Sequence, residues 1–133
     1  MTFAGVNYIA VVIAALAGFG TGAAWYMILG RFWLTAVGKK KEDMDTTPTP
    51  FLIAIAANLV MAIMLAGVIG HLGEVNVKTG VISGALIWLG FVITTMGVNH
   101  AFEGAKTSLT LIDGGHWLAV LLVMGAVIGA FGV

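Results

Sequence analysis

Two pairs of side chains have the types and spacing for chemistry. His100 and Glu103 are three residues apart, and so are Asp113 and His116. If each pair sits on a helix, its members share one face, and the short interval between the pairs makes the two helices antiparallel neighbours. Two imidazoles and two carboxylates on facing helices are donors for a divalent metal, with the three-residue spacing of Glu-x-x-His pairs in carboxylate-bridged bundles. Those sites use more carboxylates than this chain offers. The plainer expectation is interfacial polarity, with the four groups solvated or hydrogen-bonded to one another. No catalytic residue, metal or other cofactor is assigned.

The placement of Asp113 depends on where its helix starts. Thr107 or Ser108 can cap a helix that contains it, or Gly114 and Gly115 break the chain and the helix begins at His116. In the first case Asp113 needs a partner, and His116, Arg31 and Lys106 are the candidates. An ion pair between Arg31 and Glu103 is a further candidate clamp across the same end. Asn58 is the intramembrane polar candidate: it reads as glue between helices or, alternatively, as the lining of a solute path. Tyr8, Trp25 and Tyr26 read as aromatic belts, and His71 and Glu74 as solvated loop residues.

The elements that must position these groups are long apolar runs. A spanning helix needs about 20 such residues, because the hydrocarbon core is about 30 Å thick. Four segments qualify, at about 6–29, 51–70, 80–98 and 116–133. The alternation of a membrane β-strand is missing, so the expected fold is all-α, a transmembrane four-helix bundle forming a single domain over 1–133. Residues 30–50 and 99–115 are the expected cytoplasmic loops. Thr49 and Pro50 suit the cap and first position of the second span.

The cations give the bundle a direction. Arg31, Lys39, Lys40, Lys41 and Lys106 fall in the first and third loops, and only Lys78 in the second. Lys and Arg concentrate on the cytoplasmic side, so both termini are expected outside.

Each span also carries small residues at four-residue spacing. These include Gly18 and Gly22, Ala62 and Ala66, Gly80 and Gly84, and Gly125 and Gly129. Residues four apart share a helix face, so such rows let backbones approach closely. They serve packing inside one bundle, or at least one of them builds a homo-oligomer.

Composition agrees. The chain of 133 residues is 60% hydrophobic and 9% charged, against about 25% charged for an average soluble protein. So small a domain cannot hide that much apolar surface from water, which leaves the lipid bilayer as the partner. Net charge is zero, without the basic face that nucleic acid requires. Cysteine is absent, which removes disulfide and thiolate chemistry. The opening Met1 to Gly5 lacks the positive region of a signal peptide, so the first span is expected to be retained. No nucleophile stands beside a base, and no glycine-rich loop suits phosphate.

Several stretches resemble one family. Val6-Asn7-Tyr8, the pair Trp25-Tyr26, Asn99-His100-Ala101-Phe102-Glu103-Gly104 and the run Gly115 to Ala126 are similar to the domain-of-unknown-function 1761 family, over nearly the whole chain. The resemblance implies a small bacterial membrane protein with four spans and carries no activity. The family often has Ser-Pro after Trp-Tyr. Met27 and Ile28 stand there instead, so a proline kink is not implied.

The leading expectation is a non-enzymatic protein of the bacterial inner membrane that self-associates or serves as an accessory subunit of a larger membrane complex. A small-solute or ion transporter or channel using Asn58 and the polar cluster is the alternative. A metal-dependent membrane enzyme is the second alternative.

Overall fold

A computed structural model describes residues 5–132. The reading of Met1 to Ala4 as part of a retained N-terminus, and the end of the fourth span at Val133, lie outside the described residues.

Four long helices account for nearly all of it. Helix α1 spans Tyr8–Val37, α2 spans Thr49–Leu72, α3 runs over Val77–Glu103 and α4 over Thr107–Phe131. All four are long and apolar enough to cross a membrane. Each begins and ends for local reasons. The Asn7 side chain accepts from the backbone N–H groups of Ile9 and Ala10, and that of Asn76 accepts from Thr79, satisfying donors that lack partners inside the helix. Gly38, Gly73 and Gly104 terminate α1, α2 and α3 at positive φ, a conformation glycine adopts without the Cβ penalty.

The helices overrun the expected spans. Helix α1 continues through residues 30–37, so at 1.5 Å per residue it is about 45 Å long, and the first loop contracts to 38–48. That loop holds one short 3-10 turn, Lys41–Asp43. Within it the Thr47 hydroxyl and N–H both donate to Asp45 and hold its carboxyl below the usual range. The cap of α2 is Pro48, one residue before the expected Thr49.

The larger difference is at the third loop. Lys106 is the N-cap of α4 and makes no side-chain cap bond. The expected loop 99–115 thus shrinks to Gly104–Lys106. Asp113 lies inside α4, and Gly114 and Gly115 do not break it.

Helix α3 is α-helical over Val77–Ile87 and Ile93–Glu103, with a π-helical turn at Trp88–Val92 between them. There the N–H of Ile93 bonds to the carbonyl of Trp88, five residues back. Nearby hydroxyls compensate the disturbed ladder. Thr94 donates to the Gly90 carbonyl, and Thr95 to those of Phe91 and Val92. In lipid, where no water can do so, local side chains must.

Helix α4 is the hub. It packs chiefly against α1 and α3, while α2 packs mainly on α1. The core combines Val11 and Ala14 of α1, Ala62, Leu65, Ala66 and Ile69 of α2, and Val120, Leu121, Met124 and Ile128 of α4. Helix α3 joins through glycine rather than bulk. A Cβ on Gly80 would run into the Gly125 backbone, one on Gly125 into Gly80, and one on Gly129 into Asn76. One on Gly84 would lie 2.5 Å from the Leu121 carbonyl oxygen. With no hydrophobic drive between helices in lipid, such backbone contact is the main source of cohesion.

The other rows are also used internally. Gly18 faces Met124, Asn58 and Val120, and Gly22 faces His116. Ala62 and Ala66 are buried in the core.

Candidate functional site

Polar contacts between helices converge on one segment of α4, Ile112 to His116. Gly114 and Gly115 make the convergence possible. A Cβ on Gly114 would lie 2.6 Å from Cδ1 of Ile93, and one on Gly115 2.9 Å from the Trp25 ring. Their bare surface lets α3 and α1 close in from two sides. The Trp25 indole then donates to the Ile112 carbonyl at 3.1 Å, and the Trp88 indole to the Gly114 carbonyl at 2.7 Å. Between these bonds, the Tyr26 hydroxyl donates to Asp113 Oδ1 at 2.6 Å.

His116 completes the segment. Its ring is buried at 8% exposure, with the Tyr26 ring centre 4.9 Å away and that of Trp117 4.4 Å away. A Cβ on Gly22 would lie 2.7 Å from Nε2, so Gly22 gives the imidazole its room. Nδ1 is buried without a hydrogen-bond partner. Tyr26 also meets Trp33 edge-on, with ring centres 6.1 Å apart, which extends the aromatic wall toward the end of α1.

The four residues of the sequence cluster are therefore divided. Asp113 and His116 belong to this segment. His100 Nδ1 instead bonds to the Thr110 hydroxyl at 2.7 Å, clasping α3 to α4 beside the three-residue turn. Glu103 is exposed. Among the described residues, no three His, Asp or Glu side chains come together as metal ligands would. The partner of Asp113 is Tyr26 rather than His116, Arg31 or Lys106. No ion pair joins Arg31 to Glu103; the guanidinium carbon lies 5.4 Å from the centre of the Phe32 ring.

Asn58 is buried at 4% exposure. Its amide donates to the Ala54 carbonyl of its own helix at 2.8 Å, so it is not a hydrogen bond between helices. Its Oδ1 has no partner and would lie 2.7 Å from a Cβ on Gly18. A glycine hydrogen occupies that direction, at most a weak C–H···O contact.

Two clefts flank this framework. One of about 460 Å³ lies between α2, α3 and α4, lined by Met61, Phe91, Thr95, Asn99, His100 and Glu103, among others. The second, of about 590 Å³, lies between α1 and α4.

Composition and spacing missed Trp25, Tyr26, Trp88 and Thr110 as contacts between helices. An interfacial belt accounts equally well for the aromatics. The signal that could have found them is Gly114-Gly115 beside Asp113, a place where bulky donors from neighbouring helices can reach the α4 backbone.

The family described as Protein of unknown function (DUF1761) matches residues 9–129. No curated protein and no solved structure matches the chain.

Proposed function

The chain belongs to the DUF1761 family, and from that premise we propose that it is a non-enzymatic subunit of the bacterial inner membrane that associates through α3 with a second copy or another membrane subunit. One observation carries this. Gly90, Thr94, Gly97 and Ala101 recur at four- and three-residue spacing along one stripe of α3, and a Cβ on Gly90 or Gly97 would meet nothing within 4 Å. The rows that contain Gly18, Ala62, Gly80 and Gly125 are filled by neighbouring helices; this one is not. Helix α3 is also the least buried of the four, with 11% of its most apolar stretch buried against 28–39% in the others. A small-residue stripe facing lipid is where another helix packs closely.

Native mass spectrometry from mild detergent tests the reading. The expected result is a defined oligomer or a co-purifying membrane protein, reduced by Gly90→Leu or Gly97→Leu while helical content stays the same. A solitary monomer in both detergent and lipid would overturn it.

A transport reading has a different support: the unpartnered buried atoms Asn58 Oδ1, which faces Gly18 on α1, and His116 Nδ1, on a ring whose Nε2 faces Gly22. Buried polar atoms without partners are costly and call for water or a ligand. Transport requires that Asn58→Leu abolish solute or ion flux in liposomes without unfolding the protein.

A further inference from the structure

We propose that the cleft between α1 and α4 binds the phosphate headgroup of an anionic membrane lipid, a role independent of the association through α3. The cleft, about 590 Å³, is lined by Arg31, Phe32, Thr35 and Ala36 of α1 and by Lys106, Ser108 and Ile112 at the start of α4. Two cations from different elements thus border one hollow, with two hydroxyl-bearing side chains. No carboxylate lines it.

Neither cation is committed elsewhere. Arg31 makes no ion pair and has only the Phe32 ring beside it, and Lys106 is exposed. The first turn of α4 opens here with no side-chain cap, so the positive end of the helix dipole adds to the same field. The Thr35 hydroxyl donates to the Arg31 carbonyl of its own helix, so the donor set for phosphate oxygens is the guanidinium, the ammonium and the Ser108 hydroxyl, with Arg able to engage two oxygens at once.

The rest of the lining favours a lipid over a soluble anion. Phe32, Ala36 and Ile112 are apolar, and Phe32 is 55% exposed. An inorganic phosphate gains nothing from them, whereas the first carbons of acyl chains do. The depth is also right. Arg31 follows Trp25 and Tyr26 on α1, with Trp33 just beyond, as cationic and aromatic residues cluster at a headgroup boundary. A headgroup there would hold α1 to the start of α4 at the end where loop 38–48 leaves the bundle.

The test uses the full-length protein in nanodiscs of phosphatidylcholine mixed with phosphatidylglycerol, with retained lipids counted by native mass spectrometry. The wild type is expected to retain phosphatidylglycerol preferentially. Arg31→Gln and Lys106→Gln should each weaken that preference by about fivefold, as expected for one cation near an anionic surface. Arg31→Lys should retain part of it, and Lys78→Gln, at the other end of the bundle, all of it. Circular dichroism must show unchanged helicity in each variant. An absent preference in the wild type, or equal retention by the double variant Arg31→Gln/Lys106→Gln, overturns the proposal. So does displacement of the lipid by millimolar inorganic phosphate, which would assign the cleft to a soluble anion.

Discussion

The Tyr26 hydroxyl donates to Asp113 Oδ1 at 2.6 Å, across 87 residues of sequence, and so ties α1 to the carboxylate inside α4. A carboxyl group at membrane depth is costly without a donor. Tyr26→Phe removes the donor and leaves the acidic group, and is expected to destabilise the fold by about 1–2 kcal/mol, near the upper end for hydrogen bonds between membrane helices. Asp113→Asn keeps an acceptor for Tyr26 and should cost less. Unfolding titrations from mild to denaturing detergent measure both, and equal losses would contradict the order.

The glycines divide into two classes. Gly80 and Gly125 lie backbone to backbone, so Ala at either position forces α3 and α4 apart. Each substitution is expected to cost about 1–3 kcal/mol, as overpacking does in tight cores. Gly90→Ala and Gly97→Ala meet no neighbour and should leave the folded monomer as stable or slightly more so, since Ala favours helix by about 1 kcal/mol. The same unfolding titration, run under conditions where the protein is monomeric, separates the classes.

That division shows what a sequence can and cannot reveal here. The apolar runs are so long, and charge so scarce within them, that four helices follow from bilayer thickness alone. The row Gly80/Gly84 and the row Gly125/Gly129 are visible as rows, but their facing one another is a property of packing. The π-helical turn at Trp88–Val92 leaves no mark in composition. Asp113 shows the same limit. Its type marks it as a functional candidate, while its partner is a tyrosine that local sequence assigns to the membrane boundary.

Trp88 carries a second prediction at the same segment. Its indole reaches the Gly114 carbonyl at 2.7 Å from the start of the π-helical turn. Trp88→Phe keeps most of the packing and removes the N–H, so a loss of about 1 kcal/mol is expected. If the turn exists to aim this indole, the same variant should also raise amide hydrogen exchange over residues 88–95. Unchanged exchange there would separate the turn from the hydrogen bond.

Asn58 makes no hydrogen bond to another helix, so its truncation should be mild. Asn58→Ala removes an oxygen that has no partner and an amide that bonds only within α2. A change below about 1 kcal/mol is expected in unfolding titrations, less than for a bridging Asn. A loss well above that would mean a water or ligand completes the Asn58 site in the membrane, which favours the transport reading.

The direction of the bundle is open to a chemical test, because the chain has no cysteine and single thiols can be added against a silent background. Five of the six Lys and Arg residues lie in α1 beyond its midpoint, in loop 38–48 and in the turn between α3 and α4, and only Lys78 lies at the other end. Charged loops resist translocation mainly through Lys and Arg, so the crowded end is expected in the cytoplasm. Glu42→Cys and Glu74→Cys change exposed residues outside the long helices, one at each end. In intact cells, a membrane-impermeant maleimide should label Glu74→Cys and spare Glu42→Cys, and both should react after the membrane is opened. The reverse pattern would invert the bundle and place the Arg31–Lys106 cleft in the outer leaflet.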